Sequence, residues 1–205
     1  MATTLASLRL GVMRPKDASH IYTQPYVQFK RLEEDGVLLK VAHGYYALVP
    51  EVNRGNKWRP EIESLALEIG QADYGDDKAI LMHLSAARLQ GAIPRAIAVA
   101  VIAIPKQRPV LETPNGRIVF VKRDVTRLKR MKVKTELGEG WSTSKEQTAL
   151  DLVARPNLVI GMSQFAEEAA RTLYFLSDKA KLKSIANDQR LKSSFGRLQQ
   201  LVNND

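Results

Sequence analysis

The sequence predicts an α+β protein: a small N-terminal unit of helices ending in a two-stranded hairpin, then a mixed α+β domain with a small sheet and C-terminal helices. Three observations carry this. Apolar residues recur at helical spacing as far as Gly36 and then change to short β-prone runs. Ala96 to Ile104 is a continuous β-prone stretch, the pattern of a strand buried on both faces. From Ser163 to about Val202 the pattern is helical again.

Composition narrows the class. A chain of 205 residues, 44% apolar and 26% charged, has the balance of a globular protein of one or two domains with a sizeable core. The absence of cysteine excludes a disulfide scaffold, a thiolate zinc site, an iron–sulfur centre and a cysteine nucleophile. Three scattered histidines make no metal site, so neither a metal nor a cofactor is expected. The longest apolar run, Ala96 to Ile104, is about half the roughly 18 residues of a membrane span. No apolar segment accompanies the early charges Arg9 and Arg14, so no signal peptide and no membrane partner are expected, and a reducing, cytoplasmic setting follows.

The elements follow in order. Leu5, Leu8 and Leu10 predict a short first helix that Gly11 stops. Pro15 suits the first turn of a second short helix, to about His20, because its missing N–H would be unpaired there. Thr23 is positioned to cap a third helix, with Pro25 in its first turn and Phe29 and Leu32 on one side. Gly36 follows as a left-handed stop. Val37–Val41 and Tyr45–Val49 read as strands joined by the tight turn Ala42-His43-Gly44. Three helices followed by a strand hairpin within residues 1–50 is the order of a winged helix-turn-helix, with the helix near Thr23 as recognition helix and the hairpin as wing.

That order assigns candidate DNA-binding residues. With Phe29 and Leu32 turned inward, Gln24, Gln28 and Arg31 project outward, and amides and guanidinium groups make two-point contacts to base edges. Lys30, Lys40 and His43 suit phosphates, and Lys16 is grouped with them. Tyr26 either stacks on the nucleic acid or packs inside. The competing reading of the unit is a protein-docking module with a solvated helix face, in which His43 is an ordinary exposed turn residue.

Residues 51–60, rich in Gly, Asn and Pro, read as a linker that Trp58 anchors by packing. Residues 61–205 form the second domain. A helix opens at Pro60-Glu61 and runs to Ile69 with Gly70 as its stop; residues 71–77 form a loop; Leu81 to Gln90 is a second helix. The buried strand to Ile104 comes next, then a hairpin at Asn115-Gly116 between Arg108–Leu111 and Arg117–Lys122. A further strand spans Lys132–Leu137, closed by Gly138 and Gly140. Thr143 and Glu146 have capping-box spacing ahead of a helix from Ser144 to Ala154, and two helices follow Ser163.

The net charge is +9, and its densest feature is residues 122–134: Lys122, Arg123, Arg127, Lys129, Arg130, Lys132 and Lys134 against Asp124 alone. This is a candidate patch for nucleic acid or a protein partner, or else a solvated strand-and-loop face. Catalytic signatures are missing: there is no P-loop, G-x-S-x-G, H-E-x-x-H or G-x-G-x-x-G. His83 and Ser85 fall on different helix faces, Asp73, Asp76 and Asp77 read as a solvated acidic loop in preference to a divalent-cation site, and Asp151 reads as a structural partner for an arginine such as Arg155. No enzymatic activity is expected.

Three segments carry a family resemblance. Leu32–Pro50, with its Gly-hydrophobic strand, Gly44-Tyr45-Tyr46 turn and closing proline, resembles the winged-helix start of AbiEi-type antitoxins, the transcriptional regulators of type IV toxin–antitoxin systems. Leu84–Gly91 is similar to the family's Ser-Ala-Ala helix, and Thr143–Pro156 to its Glu-Gln-Thr-x-x-Asp helix. The resemblance covers about residues 15–160 and carries no catalytic residue across. It implies a DNA-binding domain that represses the protein's own promoter, with inverted-repeat operators and an abortive-infection role in phage defence. It also implies a C-terminal domain that counteracts a nucleotidyltransferase-type toxin, directly or functionally. The alternative expectation is a protein- or RNA-binding adaptor whose winged helix does not read DNA.

Overall fold

The computed structural model describes residues 11–203, so the expected helix over Leu5–Leu10 lies outside the described residues. The described chain is α+β, with seven α-helices and two sheets. No helix among the described residues is long and apolar enough to cross a membrane.

The N-terminal part is built around a three-stranded antiparallel sheet of order β1-β3-β2, from β1 (Val12–Met13), β2 (Leu38–Ala42) and β3 (Tyr45–Leu48). A 3-10 turn, Pro15–Ala18, and helix α1 (Pro25–Glu34) lie between β1 and β2. Period-two alternation gives the sheet two buried faces. Met13, Leu38, Tyr46 and Leu48 meet Phe29 and Leu32 of α1 on one side. Val12, Val41, Tyr45 and Ala47 face the other way, into the larger core. Gly36 (φ 68°) ends α1 and Gly44 (φ 80°) turns the hairpin, both in the left-handed region that glycine enters without strain. Thr23 is not the cap: Gln24 occupies that position without a side-chain hydrogen bond. Pro25 removes one N–H that a cap would otherwise serve.

The larger sheet has order β6-β7-β5-β4-β9-β8. Its strands are β4 (Ile80–Leu81), β5 (Val99–Ile104), β6 (Leu111–Thr113), β7 (Gly116–Lys122), β8 (Arg130–Lys134) and β9 (Glu139–Thr143). β5 is buried throughout because it is covered on both faces. Ala100, Ile102 and Ile104 meet helix α2 (Ile62–Tyr74) and the N-terminal sheet. Val99, Val101 and Ala103 meet the helices of the other layer. Those are α3 (His83–Leu89), α4 (Lys145–Ala154), α5 (Ser163–Leu176), α6 (Lys179–Asp188) and α7 (Lys192–Asn203).

Several expected boundaries move. Gly70 does not stop α2, which runs to Tyr74 and ends at Gly75; a Cβ on Gly70 would come within 2.7 Å of Ile102 and 2.9 Å of Ala79, so glycine is there for close packing on the sheet. The helix expected from Leu81 begins at His83, because Ile80-Leu81 is a short strand pairing β5 antiparallel and β9 parallel. Gly140 does not close a strand but lies inside β9, where a Cβ would strike Leu67 and Gln71 of α2. Ser144, not Thr143, caps α4, accepting from the Gln147 amide. The C-terminal helical stretch is three helices, broken at Asp178, whose carboxylate caps α6, and at Arg190, which has φ 59°.

Residues 51–60 contain a 3-10 turn, Glu51–Asn53, and are tied at their far end. Trp58 donates from Nε1 to Glu136 at 2.7 Å, and Arg59 donates to the Pro114 carbonyl at 2.9 Å.

Candidate functional site

Helix α1 has two chemically opposite sides. Phe29 is fully buried, edge-on to Tyr46 at a ring distance of 5.3 Å. On the other side Gln24, Tyr26, Val27, Lys30 and Arg31 are exposed. Tyr26 is 68% exposed, which settles that it stands out from the core. Gln24, Gln28 and Arg31 recur at helical spacing and share a side; Gln28 is half-buried. Lys30 is 4.0 Å from Glu34, a surface ion pair of the kind that water screens. Lys16 is exposed on the preceding 3-10 turn, and Lys40 and His43 are exposed on the β2–β3 hairpin.

The dense cluster at 122–134 divides by residue type. Arg123 donates from Nη1 to Asp151 at 3.1 Å. This carboxylate is 3% exposed, and burial pushes its pKa up while Arg123 and Gln147 offset part of that. Asp151 is therefore partnered by Arg123 rather than by Arg155. Arg127 donates to the Asp188 carbonyl at 2.9 Å. Arg130 lies over the Trp141 ring at 4.1 Å, donates to the Asp77 carbonyl and pairs with the Asp77 carboxylate at 3.4 Å. Lys122, Lys129, Lys132 and Lys134 are exposed and form no ion pair among the described residues, though Lys132 sits 4.6 Å from the Trp141 ring. β8, which carries Arg130, Lys132 and Lys134, is an edge strand, and charged side chains on an edge discourage pairing with another chain. Part of the charge density thus has a structural use.

Asp73 is not in a solvated loop. It joins the two sheets: Arg14 donates to Oδ1 at 2.5 Å, Tyr45 donates to Oδ2 at 2.7 Å, and Arg108 pairs with Oδ2. Arg108 also covers Phe120 at 4.4 Å. Burial, with the adjacent Asp73 carboxylate, raises the Tyr45 hydroxyl above its ordinary pKa. Arg88 closes a second bridge between helices, reaching Glu63 at 2.6 Å and Glu61 at 2.8 Å, and the Glu63 hydrogen bond raises its pKa.

Beside Asp73 a cleft of about 1030 Å³ opens where β5 and β7 end. Lys78, Lys106, Lys122, Arg123 and Arg130 line it, with Asp73, Asp77 and Asp124. Asp124 is held below its ordinary pKa by the Thr126 hydroxyl, which donates at 2.6 Å, and by the Thr126 amide. Lys78 follows Asp76-Asp77 and Lys106 lies two residues before Arg108, so no run of positive charge marks either. The available signal is position, Lys106 being separated by one residue, Pro105, from the end of a buried strand.

His83 and Ser85 are both fully buried and structurally engaged. Burial pushes His83 down to about 4, its Nε2 donates to the Arg155 carbonyl at 3.0 Å, and Ser85 Oγ accepts from the Val101 amide at 2.8 Å. Comparison with protein-family models and with curated proteins gives no match to this chain.

Proposed function

We propose that the chain is a winged helix-turn-helix regulator that binds duplex DNA through α1 and the β2–β3 hairpin. It represses its own promoter and counteracts a nucleotidyltransferase-type toxin, without chemistry of its own. The observation that supports DNA binding is the division of α1: Phe29 and Leu32 are buried on the small sheet while Gln24, Lys30 and Arg31 face out. An exposed helix face of amides and guanidinium suits base edges in a major groove, and exposed Lys16, Lys40 and His43 suit the flanking phosphates as hydrogen-bond donors. A helix between β1 and β2 and a sheet of order β1-β3-β2 fit a winged helix. The antitoxin role rests on the resemblance of Leu32–Pro50, Leu84–Gly91 and Thr143–Pro156 to AbiEi-type antitoxins.

The test is a gel-shift titration of the full chain on duplex from upstream of its gene, with a scrambled duplex and a structured RNA beside it. Specific binding is expected. If six to ten phosphates are neutralised, affinity falls about a thousandfold or more between roughly 50 and 200 mM salt. Binding to RNA alone would replace this reading with that of an RNA-binding adaptor.

A further inference from the structure

We propose that the cleft at the carboxyl ends of β5 and β7 binds a nucleoside triphosphate. The proposal goes beyond the DNA-binding reading and does not depend on it.

Charge pairing is the first ground. Two of the cleft's three acids are paired with cations, Asp73 with Arg14 and Arg108 and Asp77 with Arg130, while Asp124 is hydrogen-bonded to Thr126 and keeps its charge against the three lysines that follow. Lys78, Lys106 and Lys122 have no acidic partner within ion-pair distance among the described residues, and all three are exposed. The field left over in the cleft is therefore positive. A concave wall with a net excess of one sign concentrates that field on an anion.

Placement is the second. β5 and β7 are parallel neighbours, and both end at the cleft, at Pro105-Lys106 and Lys122-Arg123. Ligands of open sheets gather beyond the carboxyl ends of parallel strands, where side chains from adjacent strand ends converge. Arg123 is the built element here. The buried Asp151 takes its Nη1, and the other two guanidinium nitrogens have no partner among the described residues. A guanidinium fixed in this way offers a planar fork that matches phosphate oxygens.

Size and lining give the chemistry of the ligand. A volume of about 1030 Å³ is at the upper end of small-molecule sites and exceeds what a lone phosphate fills. Tyr74, Pro105 and Val125 supply apolar wall beside the cations, as a base and ribose joined to a polyphosphate require. The concavity suits a single nucleotide rather than the convex backbone of a duplex.

The experiment is isothermal titration of the full chain, without DNA, by ATP, CTP, GTP and UTP in turn and by inorganic triphosphate. At least one nucleotide is expected to bind one site more tightly than inorganic triphosphate. The Lys106→Glu/Lys122→Glu variant, both changes on exposed side chains, should weaken it at least tenfold. Lys57→Glu, exposed in the 51–60 segment, should leave it unchanged. Tyr74→Ala should bring nucleotide affinity down towards that of inorganic triphosphate. No binding at millimolar concentrations, an unaffected lysine pair variant, or inorganic triphosphate binding as tightly as every nucleotide would each overturn the proposal. Promoter binding is read separately by gel shift, so either idea can fail alone.

Discussion

The region around α1, where cations and the carboxylates Asp17, Glu33, Glu34 and Asp35 nearly balance, and the strongly positive 122–134 cluster differ in what their charges are already doing. In and around α1, Lys16, Arg31 and Lys40 are exposed and form no ion pair among the described residues, and the buried side of the helix is apolar. In the 122–134 cluster, Arg123, Arg127 and Arg130 are each anchored by a fixed partner, on Asp151, the Asp188 carbonyl and Asp77, and the charges with no fixed partner are lysines. The planar fork of arginine suits it to fixed structural bonds, whereas lysine is a hydrated point charge on a flexible stem. Charge density in a sequence therefore overstates the charge on offer to a partner, and residue type corrects it.

The largest test of that contrast is Arg123→Met against Lys122→Met. The first strands the buried Asp151 carboxylate and should cost about 3–5 kcal/mol of stability in urea unfolding. The second should stay within about 0.5 kcal/mol. Equal effects would break the distinction between structural and free charges. Next comes His83. Burial lowers His83 to about 4, so between pH 6.5 and 4 the unfolded chain holds a proton that the folded chain refuses. Stability should fall as pH drops through that window, by at most about 3 kcal/mol. His83→Asn, in which Asn tolerates the φ of 55°, should flatten the fall.

Smaller effects are expected on DNA. Gln28→Ala and Arg31→Ala should each cost about 1–3 kcal/mol against the preferred site and relax its sequence. Lys40→Ala should weaken all sequences alike. Identical behaviour of all three in gel shifts would mean that the recognition face lies elsewhere. Smallest in stability is Lys129→Glu/Lys132→Glu, about 1 kcal/mol or less. A drop in DNA affinity or in toxin neutralisation would give the lysines a partner. No change in either assay would leave β8 as a protected sheet edge.

Legibility followed the range of the interactions. The inward face of α1, the stops at Gly36 and Gly44, the Asn115-Gly116 hairpin and the burial of β5 were all readable, because each rests on residues within a turn or a strand of one another. β4 was not: two residues carry no period, and its pairing to Ala103 and Trp141 joins distant segments. Gly140 looked like a loop residue because its reason for being glycine, the approach of Leu67, lies on another element. The cleft escaped for the same cause, since Lys106 and Lys122 become neighbours only when β5 and β7 pair, and Lys78 joins them only when β4 pairs with β5. Asp178 did carry a signal, a capping carboxylate inside a helical run.

The small sheet keeps α1 on one face and turns Val12, Val41, Tyr45 and Ala47 into the core that α2 and β5 share. Its second face is thus not its own. A transplanted copy of residues 1–50 would carry a wet apolar wall into its new host, an invitation to aggregate. Such a unit cannot be shuffled between proteins as a cassette. Its inheritance is bound to that of α2 and the large sheet, and changes at Tyr45 or Ala47 must be answered by changes across the seam.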